Sequence, residues 1–158
     1  MIFSDRNKVI NGLPPKADAF ATAGTSDVVS MKEYNHATFL IMTGAASNAN
    51  GVITVEACDD TTPSNTQAIP FKYRKVLSGD TYGDLTDATS SGYAMTASAA
   101  NQYHIIEVDA ADLEAGAAGY EYVRVKVTED TDAAQYACIV VILSEPRYAQ
   151  GNLGTVIT

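Results

Sequence analysis

The chain alternates between short stretches with a two-residue apolar period and stretches with no period at all. The clearest period lies in residues 122–128, where Val123, Val125 and Val127 alternate with Tyr122, Arg124 and Lys126. That is the pattern of a strand with one face in a core and one toward water. A few turn-forming residues later, Ala137 to Leu143 is apolar at every position. A strand of that kind needs cover on both faces, so 136–144 is predicted to lie in the middle of a sheet inside a two-layer β structure. The two runs together read as a hairpin. A charge at Val140 is expected to prevent folding, because it would bury an unpaired carboxylate.

Upstream, ATFLIMT (37–43) and the alternating run 52–58 are separated by the turn cluster SNANG and predict a second hairpin. Ile69, Phe71 and Tyr73 alternate with Lys72 and Arg74, which gives a strand with one wet, basic face. Shorter strands are predicted around Val28 to Met31 and Tyr93 to Thr96. Between Ser78 and Ser91 the chain makes a long polar excursion with one short strand at most. Gln102 to Val108 is a firmer strand that sets His104, Ile106 and Val108 on one face. Asp109 is placed to cap a helical turn through Leu113, which Gly116 and Gly119 then end.

Both ends lack a register. In residues 1–25, Ile2, Phe3, Val9, Ile10 and Leu13 are interspersed with Arg6, Lys8 and Lys16, and Pro14-Pro15 forbids a helix at the next step. This segment reads as an extended arm, which either docks on another surface or folds back on its own domain as an edge strand. After Pro146 an irregular tail carries Tyr148, Leu153, Val156 and Ile157. The organisation is an arm (1–25), a body (26–146) and a tail (147–158). The fold class is all-β, an antiparallel β-sandwich, of which the jelly roll is one form.

Size and charge narrow the function. With 158 residues, the chain buries roughly 70% of its unfolded surface, enough for one core. A net charge of -9 repels phosphate backbones and anionic lipid, which argues against nucleic-acid and membrane partners. The longest apolar run is too short to span a bilayer, and the first residues do not read as an export signal, so synthesis in the cytoplasm is expected. Cys58 and Cys138 fall on different strands and read as buried, reduced thiols.

Candidate chemistry is sparse. Neither His36 nor His104 has a second His or a Cys at ligand spacing. No serine sits on a G-x-S-x-G elbow, and no phosphate-loop motif follows a strand. Acidic clusters at Asp59-Asp60, at Asp80, Asp84 and Asp87, and at Glu129, Asp130 and Asp132 do not match a calcium loop. With no Trp to stack on a sugar ring, a glycoside-binding cleft has little support, though a carbohydrate-binding module remains the competing reading from another class. We therefore expect no catalysis, cofactor or metal. Nine tyrosines against four phenylalanines suit interfaces, and Tyr148, in the irregular tail, is assigned to one.

Three segments, FKYRKVLSGDTYGDLT, HIIEVDAADLEAGAAGYEYVRVKVTE and VVILSEPRYAQ, resemble small structural proteins encoded among the head genes of tailed bacteriophages and prophages. The likeness lies in the order and phrasing of segments over roughly residues 35 to 150. The family it points to is the head decoration, or cement, proteins. The resemblance implies a non-enzymatic β module, commonly a trimer, that binds the major capsid protein on the outside of the virion. The arm and tail would then supply the interface, with the arm's Arg6, Lys8 and Lys16 facing acidic capsid surface. A tail or head-tail connector component is the alternative within virions.

Overall fold

The computed structural model describes residues 2–21, 23–46, 50–76, 79–96, 101–130, 132–148 and 156–157. Among the described residues twelve strands follow one another, the first six being β1 (Lys8–Lys16), β2 (Gly24–Thr25), β3 (Val29–Ser30), β4 (Tyr34–Ala46), β5 (Gly51–Cys58) and β6 (Thr66–Ile69). The second half adds β7 (Phe71–Val76), β8 (Thr86–Ala88), β9 (Tyr93–Ala94), β10 (Tyr103–Asp109), β11 (Tyr122–Glu129) and β12 (Gln135–Pro146). They form two antiparallel sheets. Sheet A has the order β1-β12-β4-β10-β7-β8, and sheet B has β2-β11-β5-β6, with β3 also on β11 and β9 on β5. The protein is an all-β sandwich.

The core lies between the sheets. Sheet A contributes Phe39 and Ile41, Ile106 and Val108, and Ile139, Val141 and Leu143, all essentially inaccessible. Sheet B answers with Ile53 and Val55 and with Val123, Val125 and Val127. These are the period-two positions of the sequence, so alternation reports the inward face. Among the described residues no helix is long and apolar enough to cross a membrane. The capped turn is a 3-10 helix, Ala110–Ala115, whose Leu113 is buried in the core. The Asp109 backbone N–H donates to the Asp112 carboxylate at 3.1 Å, half of a reciprocal capping box.

Strand pairing departs from the sequence expectation. Residues 119–145 are not a hairpin: β11 belongs to sheet B and β12 to sheet A. Likewise β4 and β5 lie in opposite sheets. In both cases a polar turn joins strands that face each other through the core, and local alternation is the same for an arch as for a hairpin. The run Ile69 to Arg74 is divided at Pro70, with β6 in sheet B and β7 in sheet A. Proline cannot donate to a ladder, and here it marks the corner where the chain changes sheet.

Two close approaches fix local register. A Cβ at Gly92, whose φ is +76°, would lie 2.1 Å from the Ile53 carbonyl oxygen, so only glycine lets β9 reach β5. A Cβ at Gly12 would sit 2.8 Å from Val141 Cγ2, which binds the choice of glycine in β1 to the core side chain of β12.

β12 is flanked by β1 and β4, and so is internal to its sheet. Its two faces, however, are not both covered. Ala137, Ile139, Val141 and Leu143 are buried, while Cys138, Val140 and Ile142 keep intermediate exposure. Double cover was expected because every position is apolar, but the sandwich supplies cover on one side only. The expectation that a charge at Val140 prevents folding therefore does not hold, and Cys138 is not a buried thiol like Cys58.

Candidate interaction surfaces

The N-terminal segment is a strand of the sheet over 8–16. β1 pairs antiparallel with β12, matching Val9 to Ile142, Ile10 to Val141 and Asn11 to Val140, with register shifts on either side of Leu13. Its outer edge is the rim of sheet A, and Pro14-Pro15 together with those irregularities interrupts the row of backbone groups that another strand could add to. Ile10 is buried and Leu13 packs against the core, so both hold the segment to its own domain. Arg6, Val9 and Lys16 are exposed and Lys8 is half-buried.

Ahead of β1 a 3-10 turn, Phe3–Asp5, is closed by Asn7, whose backbone N–H and side-chain amide both donate to the Phe3 carbonyl at 3.1 and 2.9 Å. It presents Ile2 and Phe3 to solvent at 65% and 56% exposure. At the other end Tyr148 is exposed, whereas Val156 is buried and its carbonyl accepts a hydrogen bond from the Ser30 N–H at 3.0 Å. Ile157 packs against the same core, and Leu153 lies outside the described residues. The eleven described residues among those assigned to an interface from sequence thus divide into those at least partly on the surface and those, Ile10, Leu13, Val156 and Ile157, that pack into the protein's own fold.

A surface that the sequence reading missed is the outer face of sheet A. Across β12, β4 and β10, Cys138, Met42 and Tyr103 form one row, Val140, Leu40 and Ile105 the next, and Ile142, Thr38 and Glu107 a third. On β7, Arg74 continues the second row and Lys72 the third. Leu40, Met42, Ile105, Val140 and Ile142 are all half-exposed, with Val9 carrying the apolar surface to the rim. The signal was present in FLIM and ACIVVIL, where neither parity is polar.

This apolar centre has distinct ends. At one end Tyr103 and Tyr136 are 43% and 58% exposed. At the other, His36 stands between two carboxylates, with Nε2 at 2.7 Å from Glu107 Oε2 and Nδ1 at 2.6 Å from Asp109 Oδ1. The hydrogen bond to Glu107 raises the imidazole to about 9, against burial and with help from Asp109, so His36 is a cation at neutral pH. Thr38 also donates to the same Glu107 oxygen, at 2.8 Å.

The other histidine has the opposite environment. His104 points inward from β10, and burial, with a smaller effect from Lys75, lowers it to about 4, leaving it neutral. Its Nδ1 is 3.0 Å from the Tyr93 hydroxyl. The Tyr93 ring stacks on Tyr73 at 3.7 Å and 8°, and Lys75 lies 5.0 Å from the Tyr93 ring centre. The group joins β7 and β10 of sheet A to β9 of sheet B, a packing role for residues that are mostly enclosed.

The outer face of sheet B is polar. Glu56, 9% exposed, receives Arg124 through Nε and Nη2, both 2.7 Å from Oε2, and Lys126 at 3.6 Å from Oε1. The Asp59 carboxylate accepts hydrogen bonds from the backbone of Asp60, Ser64 and Asn65 and from the Asn65 side chain. Its charge organises its own loop and is held below the usual carboxylate range by these donors. Among the described residues no group of three or more His, Cys, Asp or Glu is arranged to hold a metal ion.

No family model matches the chain, and no curated protein does. Among solved structures it is similar to the SPBc2 prophage-derived protein YomS, at 16% identity over 85% of this chain and 92% of that one, with a TM-score of 0.42. A likeness at that level carries no inference about function.

Proposed function

We propose that this protein is a non-enzymatic structural component of a phage or prophage particle, and that it decorates the outside of a capsid by binding the major capsid protein. The observation that carries the reading is the ordered presentation of Ile2 and Phe3, with Arg6, ahead of a strand anchored by Ile10. Large apolar side chains displayed next to a cation on a built turn are suited to docking on an acidic surface with apolar pockets. The sandwich behind them is built on one continuous core, and a lattice of repeated sites makes modest local contacts add up. The order and phrasing of its segments, which resemble those of head decoration proteins, support the same reading. Its localisation would then be the capsid exterior, after synthesis in the host cytoplasm.

The test is co-sedimentation with heads that lack the protein. The full chain is expected to pellet with them, and a chain lacking residues 2–7 to stay in the supernatant while keeping its circular dichroism spectrum. Residues 8–16 must be retained, since their loss would uncover β12. Full-chain protein that ignores the heads, or binding unaffected by the deletion, would remove the proposal. A carbohydrate-binding module would instead show a sugar-dependent rise in Tm.

A further inference from the structure

The outer face of sheet A is apolar at its centre, where the outer face of a soluble sandwich is ordinarily polar, with Arg74 and Lys72 bordering that centre on β7, and both edges of the sheet are protected. β1 carries Pro14-Pro15 and register irregularities, and the opposite edge strand, β8, is three residues long with Asp87 paired to Lys72 at 2.5 Å. Growth by edge pairing is thus disfavoured while the face stays open. The flat centre made by Leu40, Met42, Ile105, Val140 and Ile142 suits another β-sheet face, whose aliphatic side chains interdigitate with it at a sheet separation of about 10 Å.

We propose that the face is covered by the same face of a second copy of this chain, in a two-fold, face-to-face dimer. The pattern along β10 argues for a second copy. Tyr103, Ile105 and Glu107 occupy successive outward positions. If a second copy is turned end over end about the row of Val140, Leu40 and Ile105, Ile105 meets Ile105 and Tyr103 of each copy lies over Glu107 of the other. A phenol hydroxyl then donates toward a carboxylate at both ends, and the two acidic corners, each holding Glu107 and Asp109, are kept apart. Arg74, which continues the same row on β7 and donates to the Gly83 carbonyl, meets its own copy at the margin of the contact. The centre and the two ends of β10 are complementary between copies, as an isologous contact requires. The same turn sets Cys138 against Ile142. From strand and residue spacings each outward position covers roughly 30 Å², so the five side chains of the apolar centre cover roughly 160 Å², and the ~800 Å² per copy that a stable interface uses takes in the whole outer face of sheet A, rim and both ends included. A pair of this symmetry stands in place of the trimer implied by the resemblance.

Sedimentation equilibrium of the full chain reads the mass directly. A dimer is expected for the wild type, and a monomer for Val140→Asp, with an unchanged circular dichroism spectrum. Thr128→Asp, the same charge change on the exposed outer side of β11, should remain a dimer. Thiol reactivity gives a second readout that needs no substitution. A bulky maleimide should label Cys138 several-fold faster as the wild type is diluted through its dissociation range. A wild type that is monomeric up to its solubility limit, a trimer, or a dimer that survives Val140→Asp would overturn the proposal. So would labelling of Cys138 that is independent of concentration. A monomeric outcome would mean that the face serves a different protein.

Discussion

The two sheets turn contrasting surfaces to solvent. On sheet B the outward positions of β11 and β5 carry Arg124, Lys126, Thr54 and Glu56, the two cations paired with the one buried carboxylate and Thr54 donating to the Lys126 carbonyl. On sheet A the corresponding positions of β12 and β4 carry Val140, Ile142, Leu40 and Met42, and charge lies at the margins, around His36 and on β7 at Lys72 and Arg74. Both sheets bury aliphatic residues equally well on the inside, so the difference does not arise from the demands of the monomer's core. It says that sheet B is finished by water, and it is the ground for the proposal that sheet A meets protein.

That comparison depends first on register. Val141 faces inward and Val140 outward on adjacent positions of one strand. Val141→Asp would bury an unpaired carboxylate at a site with no exposure, and more than about 4 kcal/mol should be lost, a large share of the stability of a domain this size. Val140→Asp should leave the monomer folded. Equilibrium urea unfolding of the two variants measures the contrast. Equal damage from both would mean that the outer face of sheet A is covered by its own chain.

The inward half of this picture was legible from the sequence. Alternation at 122–128, 52–58 and 102–108 marked the residues that fill the core, because a period of two encodes which side of a strand is buried. Pairing was not legible: an arch and a hairpin have the same local pattern, and which strands become neighbours is decided by contacts distant in sequence. Doubly apolar β12 was taken as doubly enclosed, although apolar composition shows only that cover is favourable. Within one chain, the sandwich covers one face. In the N-terminal segment the edge strand, one of the two readings the sequence left open, is the one adopted over 8–16. Pro14-Pro15 and scattered polar residues hid its register, because an edge strand tolerates irregularity that an internal one does not. The part of the surface legible from composition was the exposed Ile2, Phe3 and Tyr148.

The inner and outer faces of sheet A can next be compared through their histidines. His104 is held neutral inside, at about 4 against an ordinary value near 6.5. Below pH 6.5 the unfolded chain takes up a proton that the folded chain refuses, so the stability His104 contributes is complete above pH 6.5 and disappears as pH falls through 4. The loss is up to about 3 kcal/mol over that window. Urea midpoints measured from pH 7 to pH 4 should fall less steeply in His104→Gln, which keeps a polar partner for the Tyr93 hydroxyl but does not titrate. An acid limb identical to that of the wild type would show that other groups cause it.

On sheet B the matching probe is Glu56. Glu56→Ala removes the carboxylate that two cations share and leaves Arg124 and Lys126 to repel each other. Because both cations retain contact with water, the expected cost is about 2 kcal/mol, less than for a fully buried pair. Thermal unfolding should show a fall in Tm of several degrees and no change in oligomer mass. A change in mass would locate association on sheet B and reverse the contrast between the faces.

The smallest effect concerns the charged corner of sheet A. His36 is raised to about 9 by Glu107 and Asp109, so the folded chain binds a proton more tightly than the unfolded one. Its contribution is complete below pH 6.5 and is lost as pH rises through 9, the opposite sense to His104. Solvent reaches the ring and screens the pairs, so the loss should be on the order of 1 kcal/mol. Asp112 and Lys72 line the same depression as Glu107 and Asp109, and moderate salt should weaken the effect further. His36→Gln is expected to flatten the profile between pH 7 and 9 and to leave the acid limb untouched. If the wild type shows no alkaline loss, the two carboxylates do not hold the imidazole as a cation, and the corner is less distinct from the apolar centre beside it than its hydrogen bonds indicate.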